Sequence, residues 1–176
     1  SNVTIVEKKK HLMAPMDDVM SAALERVLRR KGIQIYCDAT VTELFQGENG
    51  LNCVITPNGE GEAVRTRAGQ VLMAIGRKPD IQGLCGPDVS LEVKNGKIAV
   101  SPCFETSEPG VYAIGDVCAD IQLAHVAAAQ GTYVVEKIAG RPHTIRLQSV
   151  PSGMYVSLPI VPNCIYTDPE IATVGL

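Results

Sequence analysis

The heptapeptide VYAIGDV at residues 111–117 is the stretch on which the fold turns. It reads as an apolar strand that ends in Gly115 and a carboxylate, Asp116. Open α/β sheets place their ligands at the carboxyl ends of the strands. A carboxylate held there can accept hydrogen bonds from sugar or polyol hydroxyls, and a glycine lets a ligand come close to the backbone. Six residues past Asp116 begins QLAHVAAAQGTYVVEKIAG, which reads as a helix from about residue 122 to 139 stopped by Gly140. Strand, carboxylate and helix amino terminus together predict a cofactor cradle.

Composition narrows the classes. The chain has 176 residues, 45% of them hydrophobic, enough for a core in one domain or two small ones. A formal net charge of −3, two Phe and no Trp argue against a nucleic-acid surface. The one basic cluster, Arg26, Arg29, Arg30 and Lys31, lies where a predicted helix ends and complements its dipole. No signal peptide or membrane-spanning apolar run is evident, so no membrane association is expected. The six cysteines, Cys37, Cys53, Cys85, Cys103, Cys118 and Cys164, are scattered. Their spacing excludes a local redox pair and does not resemble a zinc cluster, so they read as small buried hydrophobes in a reducing, cytoplasmic compartment.

Working outward, residues 3–6 form a β-branched run of the kind a buried parallel strand carries. A helix follows with both ends legible: Asp17 as N-cap behind Pro15, and Gly32 at C′. Val19, Met20, Ala23, Leu24, Val27 and Leu28 recur at helical spacing and define an apolar face. Residues 33–36 make a second strand, so a parallel βαβ unit with a right-handed crossover is expected. Residues 41–45, 51–56 and 63–66 read as an antiparallel meander with turns at Gly47, Asn49-Gly50 and Asn58-Gly59. Residues 70–75 read as a continuous apolar strand ended by Lys78-Pro79. Residues 80–108 are rich in Gly, Pro and Asn, with one short strand near 98–100. Pro151, Gly153, Pro159 and Pro162 read as a linker to a final strand-like segment.

Four motifs in order carry a family resemblance. VYAIGDV with LAHVAAAQG is similar to the second flavin-binding motif of the pyridine nucleotide-disulfide oxidoreductases, and LAH most resembles that family's dihydrolipoamide dehydrogenase branch. NVTIVE (2–7) resembles the second strand of its dinucleotide-binding domain, MAIGRKPD (73–80) the strand closing that domain, and PNCIYTDPEIATVGL (162–176) the opening of its interface domain. The implied fold class is α/β. Residues 1–79 would be part of a Rossmann-like NAD-binding domain with an antiparallel meander. Residues 80–150 would be an FAD-binding central segment, and 151–176 the start of an α+β interface domain.

The resemblance also implies site residues. Asp116 would accept from the flavin's polyol chain, and the backbone around Gln122, Leu123, Ala124 and His125 would approach its pyrimidine, with His125 positional. Glu7 would bind the adenine ribose hydroxyls of NAD, Gly76 would permit close approach of the nucleotide, and Val41 would contact the adenine side. Plainer readings compete: a turn-capping Asp, an ordinary helix start, a solvated Glu7 before three lysines, a strand-ending Gly76 and a core Val41. FAD and NAD would be the cofactors, and no metal is expected. The glycine-rich turn about 20 residues before such a glutamate, the first flavin motif, the redox cysteine pair and most of the interface domain are not in the sequence. The resemblance therefore implies a segment of a longer homodimeric enzyme, serving a 2-oxo acid dehydrogenase complex through lipoyl domains. The chain alone would hold no catalytic residue, show no disulfide reductase activity and bind its cofactors weakly if at all. Alternatives are a mercuric or glutathione reductase of the same architecture, or a non-catalytic nucleotide-binding module.

Overall fold

The computed structural model describes residues 2–13, 16–48, 50–145, 148–149, 156–157 and 161–174. Two compact units emerge, Ser1–Ala74 with Cys164–Thr173, and Ile75–Asn163 with Val174–Leu176. The fold is mixed α/β, as expected.

In the first unit, β1 (Thr4–Val6), α1 (Asp18–Arg30) and β2 (Gln34–Tyr36) form the predicted βαβ unit, with Ile5 opposite Ile35 in a parallel pair. The ends of α1 explain themselves. The Asp17 carboxylate accepts from the Val19 amide at 2.8 Å, satisfying one of the donors that a first helical turn leaves over. At the other end Gly32 takes φ +84°, while its amide and that of Ile33 donate back to Arg29 and Leu28. This is the paired closure a glycine at C′ permits. Pro15 and Asn49 lie outside the described residues.

The buried face of α1 is narrower than its apolar pattern. Ser21 and Leu24 are buried, whereas Val19 is 71% exposed and Met20 and Ala23 also face outward. Leu24 packs with Met16 and Ile171, joined by Met13, Leu28 and Ile165. Ser21 donates its hydroxyl to the Leu12 carbonyl, and Glu25 accepts from the Leu12 amide at 3.1 Å. The helix thus holds the loop that leads into it.

The meander is present as β3 (Ala39–Gly47), β4 (Gly50–Pro57) and β5 (Val64–Ala68), antiparallel in the order β3-β4-β5. A bulge between Val41 and Glu43 breaks the register once. The central strand supplies the core, with Cys53, Val54 and Ile55 all buried. Residues 70–75 depart from expectation. They form no strand; Leu72 is 89% and Ile75 86% exposed. The pattern correctly marks an apolar segment, but a ladder needs a neighbour, and among the described residues none pairs with it.

In the second unit, β6 (Val93–Lys94) and β7 (Lys97–Ile98) form a hairpin through Asn95 and Gly96, at φ +52° and +77°. Both residues then adopt the left-handed geometry that two-residue hairpin turns demand. Residues 111–114 are not a strand either. A single bridge, Glu105 to Tyr112, is their only ladder contact among the described residues. The chain then tightens into a 3-10 turn, Gly115–Val117, and continues to α2 (Ala124–Ile138). Past α2, Glu136 accepts from the amide and hydroxyl of Thr144, and the His143 ring stacks on Tyr133 at 4.1 Å.

Strands β8 (Gln148–Ser149) and β9 (Val156–Ser157) pair with each other; Pro151, Gly153 and Pro159 of the expected linker lie outside the described residues. Strands β10 (Asn163–Ile165) and β11 (Ile171–Thr173) form a two-stranded sheet. Its Ile171 is only 8% exposed because Leu24 and Met16 cover it. The Lys31 ammonium anchors the intervening turn at Asp168, 2.6 Å from the carboxylate.

Candidate functional site

The candidate residues fall on both units. In the first unit, the parallel pair β1–β2 ends at Glu7, whose amide donates to Tyr36 at 2.8 Å and whose carbonyl accepts from Ala39 at 3.1 Å. Glu7 therefore sits at the carboxyl tip of β1, stitched to the entry of β3. One carboxylate oxygen, Oε1, accepts from the Lys9 amide at 2.8 Å, leaving the other for a ligand hydroxyl. Val41 lies two residues beyond Ala39 on β3, opposite Ile55, and is 40% exposed. It is thus open to contact and is not a core valine.

In the second unit, the turn at Gly115 is built against α2. Gly115 has φ +70°, and a Cβ there would stand 3.0 Å from the Ala127 Cβ. Its amide donates to the buried Gln130 side chain at 2.7 Å. One helical turn on, the Ile114 side chain lies over Gly131, 3.2 Å from where a Cβ would be. The sequence reading gave Gly115's freedom to a ligand; helix packing takes it up instead. Asp116 follows, exposed, and accepts no hydrogen bond among the described residues.

The start of α2 is similarly open. Leu123 occupies the N-cap position with extended backbone and offers no capping side chain. Val126 and Ala127 donate to the Leu123 carbonyl, so the amides of Ala124 and His125 point out of the helix without a protein acceptor among the described residues. Such amides carry the positive end of the helix dipole. Gln122 and His125 are exposed. Gly76 has φ +115°, a conformation that favours glycine, with no atom within 4 Å of a would-be Cβ.

Sequence reasoning missed Gln130. It is 4% exposed on the stripe Val126, Gln130, Val134. A polar residue at an i, i+4, i+8 position otherwise apolar is the signal that could have found it.

All six cysteines are free, and Cys53 is the one buried outright. Burial, reinforced by the neighbouring Glu25 carboxylate, pushes the Cys37 thiol up to about 11. Burial does the same for Cys118, also to about 11. Both are protonated at neutral pH, the opposite of an activated nucleophile.

The model of the pyridine nucleotide-disulphide oxidoreductase family matches residues 1–131. The dihydrolipoyl dehydrogenase of Bacillus subtilis is 34% identical over 99% of this chain, and that of Chlorobaculum tepidum 35% identical over all of it. The chain spans about a third of their length, 35% in each case. The crystal structure of LpdA from Mycobacterium tuberculosis superposes with a TM-score of 0.79 at 27% identity, covering 99% of this chain and 35% of that one. The flavoprotein disulfide reductase RclA from Escherichia coli shares the fold, with a TM-score of 0.81 at 21% identity over 100% of this chain and 37% of its own. A glycine-aspartate turn packed on an uncapped helix, a glutamate at a parallel strand tip and a family match over most of its residues agree: the chain belongs to the pyridine nucleotide-disulphide oxidoreductase family.

Proposed function

We propose that this chain is part of a dihydrolipoyl dehydrogenase-type enzyme and supplies part of an FAD site and part of an NAD site. The family's name specifies a pyridine nucleotide, and RclA is named a flavoprotein. The observation that carries the reading is the pairing of Asp116 with the open start of α2. Among the described residues, one offers a negative acceptor without a protein donor, and the other offers amide donors without a protein acceptor. Both fit a ligand with hydroxyls at one end and an electron-rich ring at the other. Glu7 fits a ribose in the same way, through its uncommitted oxygen.

When bound, a flavin supplies the electron relay between a dithiol and NAD. The chain's own contribution is holding and orienting. Asp116 accepts ligand hydroxyls, the amides near Ala124 and His125 stabilise negative charge, and Glu7, Gly76 and Val41 seat the nucleotide. We further propose that residues 1–79 belong to the NAD-binding domain, 80–150 to the central FAD-binding segment and 151–176 to the start of the interface domain. We also propose a homodimer joined through its interface domain, acting on lipoyl groups of a 2-oxo acid dehydrogenase complex in the cytoplasm. Among the described residues no helix is long and apolar enough to cross a membrane.

The test is Asp116→Asn in the whole protein, with bound flavin per polypeptide measured by absorbance after gel filtration. A charge-assisted bond lost should weaken flavin retention about tenfold or more. Wild-type flavin content on dilution would remove Asp116 from the site. The chain by itself should reduce no lipoamide, and measurable turnover would contradict the assignment.

A further inference from the structure

Directly after Glu7 come Lys8, Lys9, Lys10 and His11, and the proposed ribose contact uses only the glutamate. These lysines are not a loose tail. The Lys9 amide donates to Glu7 Oε1 at 2.8 Å, the Asn58 side-chain amide donates to the Lys8 carbonyl at 2.8 Å, and the Asp38 amide donates to the Lys9 carbonyl at 2.7 Å. Three backbone pins therefore fix a strap at the tip of β1, with all three lysines exposed. None of them forms an ion pair among the described residues.

The acids facing the strap are Glu7, which is drawn back onto it, and Asp38, whose carboxylate accepts from Asn58 at 3.1 Å. Glu25, on α1, is engaged with Leu12 and Cys37. Three ammonium groups thus outnumber the two carboxylates nearest them. A lone glutamate at a strand tip would accept ribose hydroxyls and repel a phosphate in the same place. Here its charge is partly met by the Lys9 amide and outweighed by the neighbouring ammoniums.

Resting on the nucleotide reading above, we propose that the strap at residues 8–10 makes the adenosine end of the site tolerant of a 2′-phosphate, so that the protein binds NADP as well as NAD. Lysine suits tolerance better than a switch. Its ammonium is a mobile point charge that can meet a phosphate without a fixed fork and swing to water when the ribose is bare. The attraction acts between exposed charges, so it must fade as salt rises.

The experiment uses the whole protein and two ligands that differ only in that phosphate, adenosine 5′-monophosphate and adenosine 2′,5′-bisphosphate, titrated by calorimetry. At low salt the bisphosphate should bind within about threefold of the monophosphate or tighter, and lose that standing at high salt. Replacing Lys8, Lys9 and Lys10 by Gln should weaken the bisphosphate about tenfold and shift the monophosphate by less than about threefold. Because the pins are backbone bonds, these variants keep the strap; a single Lys8→Gln variant guards against misfolding of the triple one and should show a smaller loss of the same sign. A monophosphate bound about tenfold tighter than the bisphosphate would overturn the proposal and leave the nucleotide site standing. Binding of neither would overturn both. Inorganic phosphate that competes as well as the bisphosphate would make the strap a general anion patch and overturn the proposal alone.

Discussion

The meander and the segment at residues 70–75 are similarly apolar, only a few residues apart, and opposite in fate. Each strand of the meander finds its neighbour through a short turn, and the sheet buries Ile55 to 2%. The segment at 70–75 finds none among the described residues and leaves Leu72 at 89% exposure. Antiparallel strands linked by tight turns complete themselves locally, whereas a parallel strand depends on chain far away in sequence. Apolarity records where a segment ends up in the finished protein, and turn chemistry records what it can reach alone.

That contrast can be broken most directly by mutation at its two poles. Ile55→Ala should cost the chain about 2–5 kcal/mol in urea unfolding, while Leu72→Ser should stay within roughly 0.5 kcal/mol. A large loss from Leu72→Ser would show that 70–75 is paired after all.

Thiol chemistry sharpens the same contrast between covered and open surface. Cys164 is exposed, whereas Cys37 and Cys118 are held at about 11, against an ordinary 9.0. Mass-mapped alkylation at neutral pH should label Cys164 first, with the other two roughly a hundredfold slower. The sign for stability follows: below pH 9.0 thiols are protonated folded or unfolded, and the advantage of burying them protonated is whole. It is lost as pH rises from there through about 11, because the unfolded chain ionises first. Unfolding midpoints that hold steady across that window would contradict the burial.

Smaller effects probe how each region closes itself. Gln130→Leu should cost about 1–3 kcal/mol by orphaning the Gly115 amide, and should loosen the turn that carries Asp116. Asp17→Ala should cost about 1 kcal/mol in thermal unfolding through the loss of one helix cap. A neutral result for either would mean that water replaces the missing acceptor.

The legible parts of the fold were those with local causes. Asp17 and Gly32 mark the two ends of α1 by side-chain and backbone chemistry alone, and the parallel pairing of residues 4–6 with 34–36 follows from helix and strand lengths. The illegible parts had distant causes. Residues 111–114 look like a strand but gain only one bridge among the described residues, and the segment at 70–75 looks like one without pairing there. The Asn95-Gly96 hairpin was overlooked although its turn signal was in plain sight. Of the candidate site, Glu7, Gly76 and Asp116 are nominated by motif context. The role of Gly115 could not, because Ala127 and Gln130 claim it only once α2 folds back.

Gly115, Ala127 and Gln130 fasten the Asp116 turn to the body of α2. One turn further lies Tyr133, its ring stacked on His143 and met edge-on by Phe104, in a chain with no tryptophan to mask its emission. Because five tyrosines share that emission, the part of a fluorescence change that Tyr133→Phe removes is the part that would report on the Asp116 turn.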